Sequence, residues 1–207
     1  MDNADNINNE TGTKNKVGSH DPLRFIDTID NGKHIVLFYE DPEYGKRVQF
    51  RFINNGLLKG EHGIITTVQN DSHLIENAMI DNGIEVEGFK KKGLLHIYQI
   101  PNPIDHPQGL EKGLEDIKDQ ILAESKPPYR IVGRCSELNT RKQIESDTDI
   151  QRTVHSTFRG FPGSVMCSYP VDKIRPEKHG QWLIDMLHCH DAAIFSTFSG
   201  NGIGFHI

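Results

Sequence analysis

The chain has 207 residues, a quarter of them charged, with 23 Lys and Arg against 29 Asp and Glu for a formal charge of -6. That length suits one sizeable α/β domain and is short for two, and the acidic balance argues against a general nucleic-acid partner, which would want a basic face. No apolar run has the length of a membrane span, and no charged-then-apolar start suggests a signal peptide, so the cytoplasm is the expected compartment.

Residues 1–20 are rich in Asn, Asp, Thr, Lys and Gly with almost nothing to bury, and they read as a disordered polar tail ahead of a single domain over 21–207. Asp21-Pro22 is an N-cap with proline at the first helical position, opening a helix that is expected to end near Gly32. The run Lys33 to Tyr39 is a buried strand. A helix to Leu58 follows, with Val48, Phe52, Ile53 and Leu57 on one face and Gly60 as its terminator. His62 to Val68 is a second strand, and Asp71 or Ser72 caps a helix reaching Asn82-Gly83. Leu94 to Tyr98 is a third strand, with Lys90-Lys91-Lys92 before it read as a solvated turn. Leu110, Leu114, Ile117, Ile121 and Leu122 space a helix from Gly109 to Glu124 that Lys126-Pro127-Pro128 stops. Tyr129 to Gly133 is the fourth strand and 139–158 a long polar helix. Gly163 to Tyr169, a helix over Glu177 to His188, Ala192 to Phe198 and a short Ile203 to His206 complete the chain. Strands alternating with helices predict a mostly parallel sheet of about six or seven strands flanked by helices. Ligands in such sheets bind at the carboxyl ends of the strands, which singles out Tyr39, Glu40, Pro101, Gly133, Arg134 and Tyr169.

The most informative stretch is Tyr39-Glu40-Asp41-Pro42-Glu43-Tyr44-Gly45-Lys46-Arg47. A strand, a turn with Gly-Lys and a helix is the setting of a phosphate-binding loop. Of the fixed positions in G-x-x-x-x-G-K-[ST], however, Glu40 replaces the first glycine and Arg47 replaces the magnesium-binding hydroxyl. Glu40, Asp41 and Glu43 would repel a phosphate, and Pro42 removes one N–H donor. Gly45-Lys46 therefore reads as a helix start with a solvated lysine.

The run His34-Ile-Val-Leu-Phe-Tyr39-Glu40, then Phe52-Ile-Asn-Asn-Gly56-Leu57-Leu-Lys-Gly60-Glu61, resembles the start of a MEDS domain, the sensory domain named after methanogens, methylotrophs and a dichloromethane-responsive repressor. Met166-Cys167-Ser168-Tyr169-Pro170 and a helix ending in His188-Cys189-His190 resemble its second half. The amino-terminal segment is also similar to the KaiC branch of RecA-like ATPases. The resemblance implies a RecA-like scaffold whose phosphate loop has decayed and whose cleft serves another ligand. It also implies a non-catalytic sensory role, with a small organic molecule, often a hydrocarbon derivative, as ligand and a signalling protein downstream. Many members of the family carry an acidic residue just after the glycine of the fourth strand. Here Gly133-Arg134-Cys135-Ser136-Glu137 displaces the carboxylate, which implies a different ligand.

The expected pocket lies beside Tyr39 and Glu40, with His34, Gly45, Lys46, Arg134, Glu137 and Tyr169 around it. A nucleotide-binding or ATPase reading and an interaction-scaffold reading stand as alternatives. No cofactor is expected, and a homo-oligomer is compatible with the sequence. Cys135, Cys167 and Cys189 are an odd number without a C-x-x-C pair, and free buried thiols are expected. A metal site is not expected: on a helix His188 and His190 point roughly 200° apart, and they read instead as caps of the helix C-terminus. A thiol-nucleophile scheme from Cys167 or Cys135 with a histidine and Glu137 has no spacing to support it. Phe195, Phe198 and Phe205 read as core or edge residues.

Overall fold

The computed structural model describes residues 21–68, 71–134, 141–174 and 176–207. The polar tail at 1–20, Cys135 and Glu137 lie outside the described residues. Seven strands occur among those described: β1 (His34–Tyr39), β2 (His62–Thr67), β3 (Leu95–Gln99), β4 (Tyr129–Arg134), β5 (Gly163–Pro170), β6 (Ala192–Ser196) and β7 (Gly202–His206). They form one sheet in the order β3-β2-β4-β5-β1-β6-β7, parallel throughout except for the closing β6–β7 hairpin. The expected α/β architecture is thus observed.

Side-chain parity along each strand divides the core into two layers. Ile35 and Leu37 of β1, Val132 of β4 and Met166 of β5 face one side. There they meet α1 (Pro22–Asp27), α2 (Pro42–Leu58), α3 (Ser72–Asp81) and α4 (Val86–Lys91) through Phe25, Phe52, Met79 and Phe89. Val36, Phe38, Cys167 and Tyr169 face the other side, against Trp182 and Met186 of α7 (Pro176–His188). On that same face Ile117 and Ile121 of α5 (Leu110–Leu122) cover Ile64 and Ile131, and α6 (Arg141–Thr157) lies beside α7. Among the described residues no helix is long and apolar enough to cross a membrane.

One buried ion pair ties the first layer to the sheet. The Arg130 Nε–H donates to Glu61 Oε2 at 2.7 Å, its guanidinium lies 5.0 Å from the centroid of the Phe52 ring, and both charged side chains are buried. Gly56 makes room for it, because a Cβ there would lie 2.4 Å from Arg130 Cγ.

Three elements differ from the sequence expectation. The first helix stops at Asp27 rather than Gly32, with Asp21 capping it by accepting from the N–H groups of Leu23 and Arg24. Lys90 and Lys91 form the last turn of α4 and Lys92 its C-cap, not a solvated turn, and Lys90 pairs with Glu76 of α3 at 2.8 Å. A six-residue helix offers too few turns to display a period. Strand β6 ends at Ser196, where Thr197 leads into a single 3-10 turn over Phe198–Gly200.

Candidate functional site

At the junction of β1 and α2 the chain satisfies itself. Asp41 caps α2, its carboxylate accepting the backbone N–H of Glu43 at 2.9 Å. Pro42 has no N–H, and the N–H of Gly45 is already bonded to the Asp41 carbonyl at 2.8 Å. Glu40 Oε2 accepts the backbone N–H of Phe198 at 3.2 Å. Lys46 turns back along its own helix to Glu43 at 2.8 Å. Gly45 serves packing, since a Cβ there would lie 2.8 Å from Tyr39 Cγ. The N–H groups of Glu43 and Gly45 are thus bonded within the chain, and the Asp41 carboxylate sits at the helix end, where an anion is favoured.

A cavity of about 1160 Å³ lies elsewhere, on the second face of the sheet between α5 and α6. Its floor is formed by Thr66 of β2, Ile131 and Gly133 of β4, and Val165 and Cys167 of β5. Aliphatic groups of α5, including Ile117 and Ile121, make one wall, while Ile150, Val154 and Phe158 line the other side with Asp147 and Gln151. The topology explains the location. From β2 the chain runs outward to β3, with α3 and α4 on the first face; from the adjacent β4 it runs to β5 through α6 on the second. Neighbouring strands whose connections part in this way open a crevice at their carboxyl ends.

The polar groups of the cavity divide into an exposed, charged rim, with Glu111, Glu115, Lys118 and Arg159, and a buried set at its base, Asp147, Gln151 and Cys167. Burial pushes the Asp147 carboxyl up to about 6, although the Tyr169 hydroxyl, donating to it at 2.8 Å, acts in the opposite direction. Burial, with Asp147 nearby, pushes the Cys167 thiol up to about 12. At neutral pH Cys167 is therefore a thiol and not a thiolate nucleophile.

Behind Cys167 stands a group of rings that the sequence separates widely. His34 opens β1, and its Nε2 is 3.7 Å from Cys167 Sγ. Its Nδ1–H donates to the Cys189 carbonyl at 2.8 Å. The His190 ring stacks on it at 4.0 Å between centroids, and Phe158 at 5.5 Å. Burial holds His34 well below the usual imidazole range and brings His190 down to about 4, so both are neutral. One ligating atom from each of His34, Cys167 and His190 lies within 4.8 Å of the other two.

The residues expected to share a pocket are therefore divided. Tyr39, Glu40, Gly45 and Lys46 stay together at the carboxyl end of β1. His34 is five residues away at the other end of that strand, roughly 16 Å by strand rise. Tyr169 faces Trp182 and Phe38, and its hydroxyl donates to the cavity residue Asp147. Arg134 ends β4, and Glu137 is outside the described residues. Of the strand-end positions, Pro101 and Gly133 do line the cavity. Asp147 and Gln151 went unnoticed, because a polar helix reads as a solvated one. The capping role expected of His190 is observed, since its Nδ1–H donates to the Met186 carbonyl.

Comparison with known proteins agrees with this architecture. The family described as MEDS, the MEthanogen/methylotroph, DcmR Sensory domain, matches residues 33–191. No curated protein matches the chain. Among solved structures, a KaiC-like protein from the hyperthermophilic archaeon Pyrococcus horikoshii OT3 superposes with a TM-score of 0.61 at 16% identity. The superposition covers 82% of this chain and 73% of that one, and it establishes a RecA-like fold.

Proposed function

The chain belongs to the MEDS family of sensory domains, and we propose that it recognises a small, largely apolar organic molecule in the cavity between α5 and α6. The carrying observation is the inner part of that cavity, where Ile117, Ile121, Ile131, Val154 and Phe158 surround the buried polar groups Asp147, Gln151 and Cys167, beneath a charged rim that includes Glu111, Lys118 and Arg159. A site of this composition binds hydrocarbon skeletons by burial and fixes their orientation through one or two polar contacts. The self-capped β1–α2 junction favours this cavity over a nucleotide site. We read the role as binding without turnover, a reading supported by burial, which keeps the Cys167 thiol protonated. A signalling protein would read the ligand through the exposed sides of α5 and α6.

Thermal melting with toluene, 1-hexanol and a dichloroalkane tests the reading, because a ligand of the native state raises the melting temperature. At least one probe is expected to raise it by a few degrees. Gly133→Leu is expected to abolish the rise. A Cβ at Gly133 meets nothing closer than the Met166 carbonyl at 3.8 Å and Cys167 Sγ at 3.9 Å, so the new side chain grows into the cavity. No rise with any probe, or an equal rise in Gly133→Leu, contradicts the proposal.

A further inference from the structure

We propose that His34, Cys167 and His190 form a three-residue site for one transition-metal ion of the zinc class, set at the inner wall of the cavity. Three distant segments deliver the donors. His34 opens β1, and its register partner on β5 is Val165, two residues before Cys167, so strand parity puts both side chains on the same face. His190 follows the C-terminus of α7 and lays its ring on that of His34.

The tautomers are set for ligation. Each histidine donates its Nδ1–H to a backbone carbonyl near the end of α7, His34 to Cys189 and His190 to Met186. This makes Nε2 the lone-pair nitrogen of each ring, that of His34 facing the Cys167 thiol and that of His190 unpaired, and metal-binding histidines are held in this way by an outer hydrogen bond. A purely structural pair has no need for both rings to present lone pairs toward a thiol.

One of the three proposed donor atoms also lacks a partner. His190 Nε2 is buried and has no hydrogen-bond partner among the described residues. The same holds for His155 Nδ1, whose ring lies 6.0 Å from that of His34, while the Gln151 side chain, one turn earlier on α6, is within hydrogen-bonding reach of His34 and Cys167. Each such atom costs about 1–3 kcal/mol when left unpaired in a protein interior. An unpaired His190 Nε2 within 4.8 Å of a thiol sulfur and a second imidazole nitrogen points to a partner shared by the three.

The chemistry of the donors selects the ion. Two imidazoles and a thiolate suit zinc and its borderline-soft relatives, whereas magnesium and calcium take oxygen. In a tetrahedral zinc site N and S donors stand about 3.5 Å apart, and His34 Nε2 and Cys167 Sγ are already at 3.7 Å. On binding, the Cys167 proton passes to solvent and the thiolate becomes the ligand. Cys167, Gln151 and Phe158 belong both to this cluster and to the cavity lining, so the fourth position is available to water or to a donor atom of a bound molecule.

The inference does not depend on the sensory reading, because its test contains no organic ligand. Protein treated with a chelator is titrated with cobalt(II). One equivalent is expected to produce the visible bands of a tetrahedral ion and a near-ultraviolet thiolate-to-cobalt band, both bleached by zinc. Cys167→Ser is expected to lose the thiolate band and His190→Gln to weaken binding at least tenfold. Cys189→Ser should retain both properties, since the Cys189 carbonyl, not its thiol, supports His34. Circular dichroism establishes that each variant is folded, and if Cys167→Ser does not fold, the wild-type spectrum and His190→Gln decide. A folded wild type without these bands at saturating cobalt overturns the proposal and assigns the unpaired nitrogens to water. Bands that persist unchanged in Cys167→Ser or His190→Gln overturn it as well.

Discussion

The Asp41 carboxylate accepts the backbone N–H of Glu43 at 2.9 Å, and so takes the end of α2 that a phosphate would require. The helix dipole and the free donors of the first turn are what make a helix start an anion site. Here the Asp41 carboxylate, an internal anion, occupies one of them.

Mg-ATP is accordingly expected to leave the melting temperature unchanged. Lys46→Ala is expected to cost at most about 0.5 kcal/mol, because its ion pair with Glu43 is exposed. An ATP-dependent rise that Lys46→Ala removes would contradict this. Gly45→Ala should be the more damaging change, by about 1–3 kcal/mol, because the new methyl would press on the Tyr39 ring. Urea unfolding of the two variants measures the contrast.

The buried pair of Arg130 and Glu61 yields a second expectation. Glu61→Ala leaves a guanidinium unpaired against the Phe52 ring, and loss of one partner from such a pair costs about 3–5 kcal/mol. Since the pair joins the turn after α2 to β4, the loss should appear as a lower urea midpoint at unchanged slope. A change below 1 kcal/mol would mean that the pair is dispensable.

Asp147 carries the pH dependence of the cavity. The titratable groups around it are the Tyr169 hydroxyl and the Cys167 thiol, both on β5. Its folded value, about 6, lies above the ordinary 3.8. The native state therefore holds the proton more tightly than the unfolded chain, and stability falls as pH rises from about 4 to about 6. Asp147→Asn removes the buried charge and keeps an acceptor for Tyr169. Its advantage over the wild type is expected to grow by about 2 kcal/mol between pH 4 and pH 7. An advantage that is flat with pH contradicts the assignment.

Much of the sheet can be read from the chain alone, because the apolar runs from His34, His62 and Gly163 are long enough to announce buried strands. The short helix α4 could not, since Gly88 and three lysines in or just after six residues leave no apolar stripe to follow. The departures at Glu40 and Arg47 from the phosphate-loop pattern were legible in the chain, because the motif fixes the residue type at those positions. The cavity stayed hidden for a different reason. Its position follows from β2 lying next to β4, and strand order is a tertiary fact. His34 and Cys167 were each visible as candidates, yet only the pairing of β1 with β5 brings them to 3.7 Å. Asp147 and Gln151 were masked by the polar helix that carries them.

The central claim, an organic ligand between α5 and α6, is tested most directly by isoleucine methyl spectra of the folded protein titrated with toluene. Ile100, Ile117, Ile121, Ile131 and Ile150 line the cavity, whereas Ile35, Ile53 and Ile194 pack on the opposite face of the sheet. Saturable shifts confined to the first group, and lost in Gly133→Leu, are the predicted result. Shifts centred on Ile35 and Ile53, or none at all at saturating toluene, would contradict it.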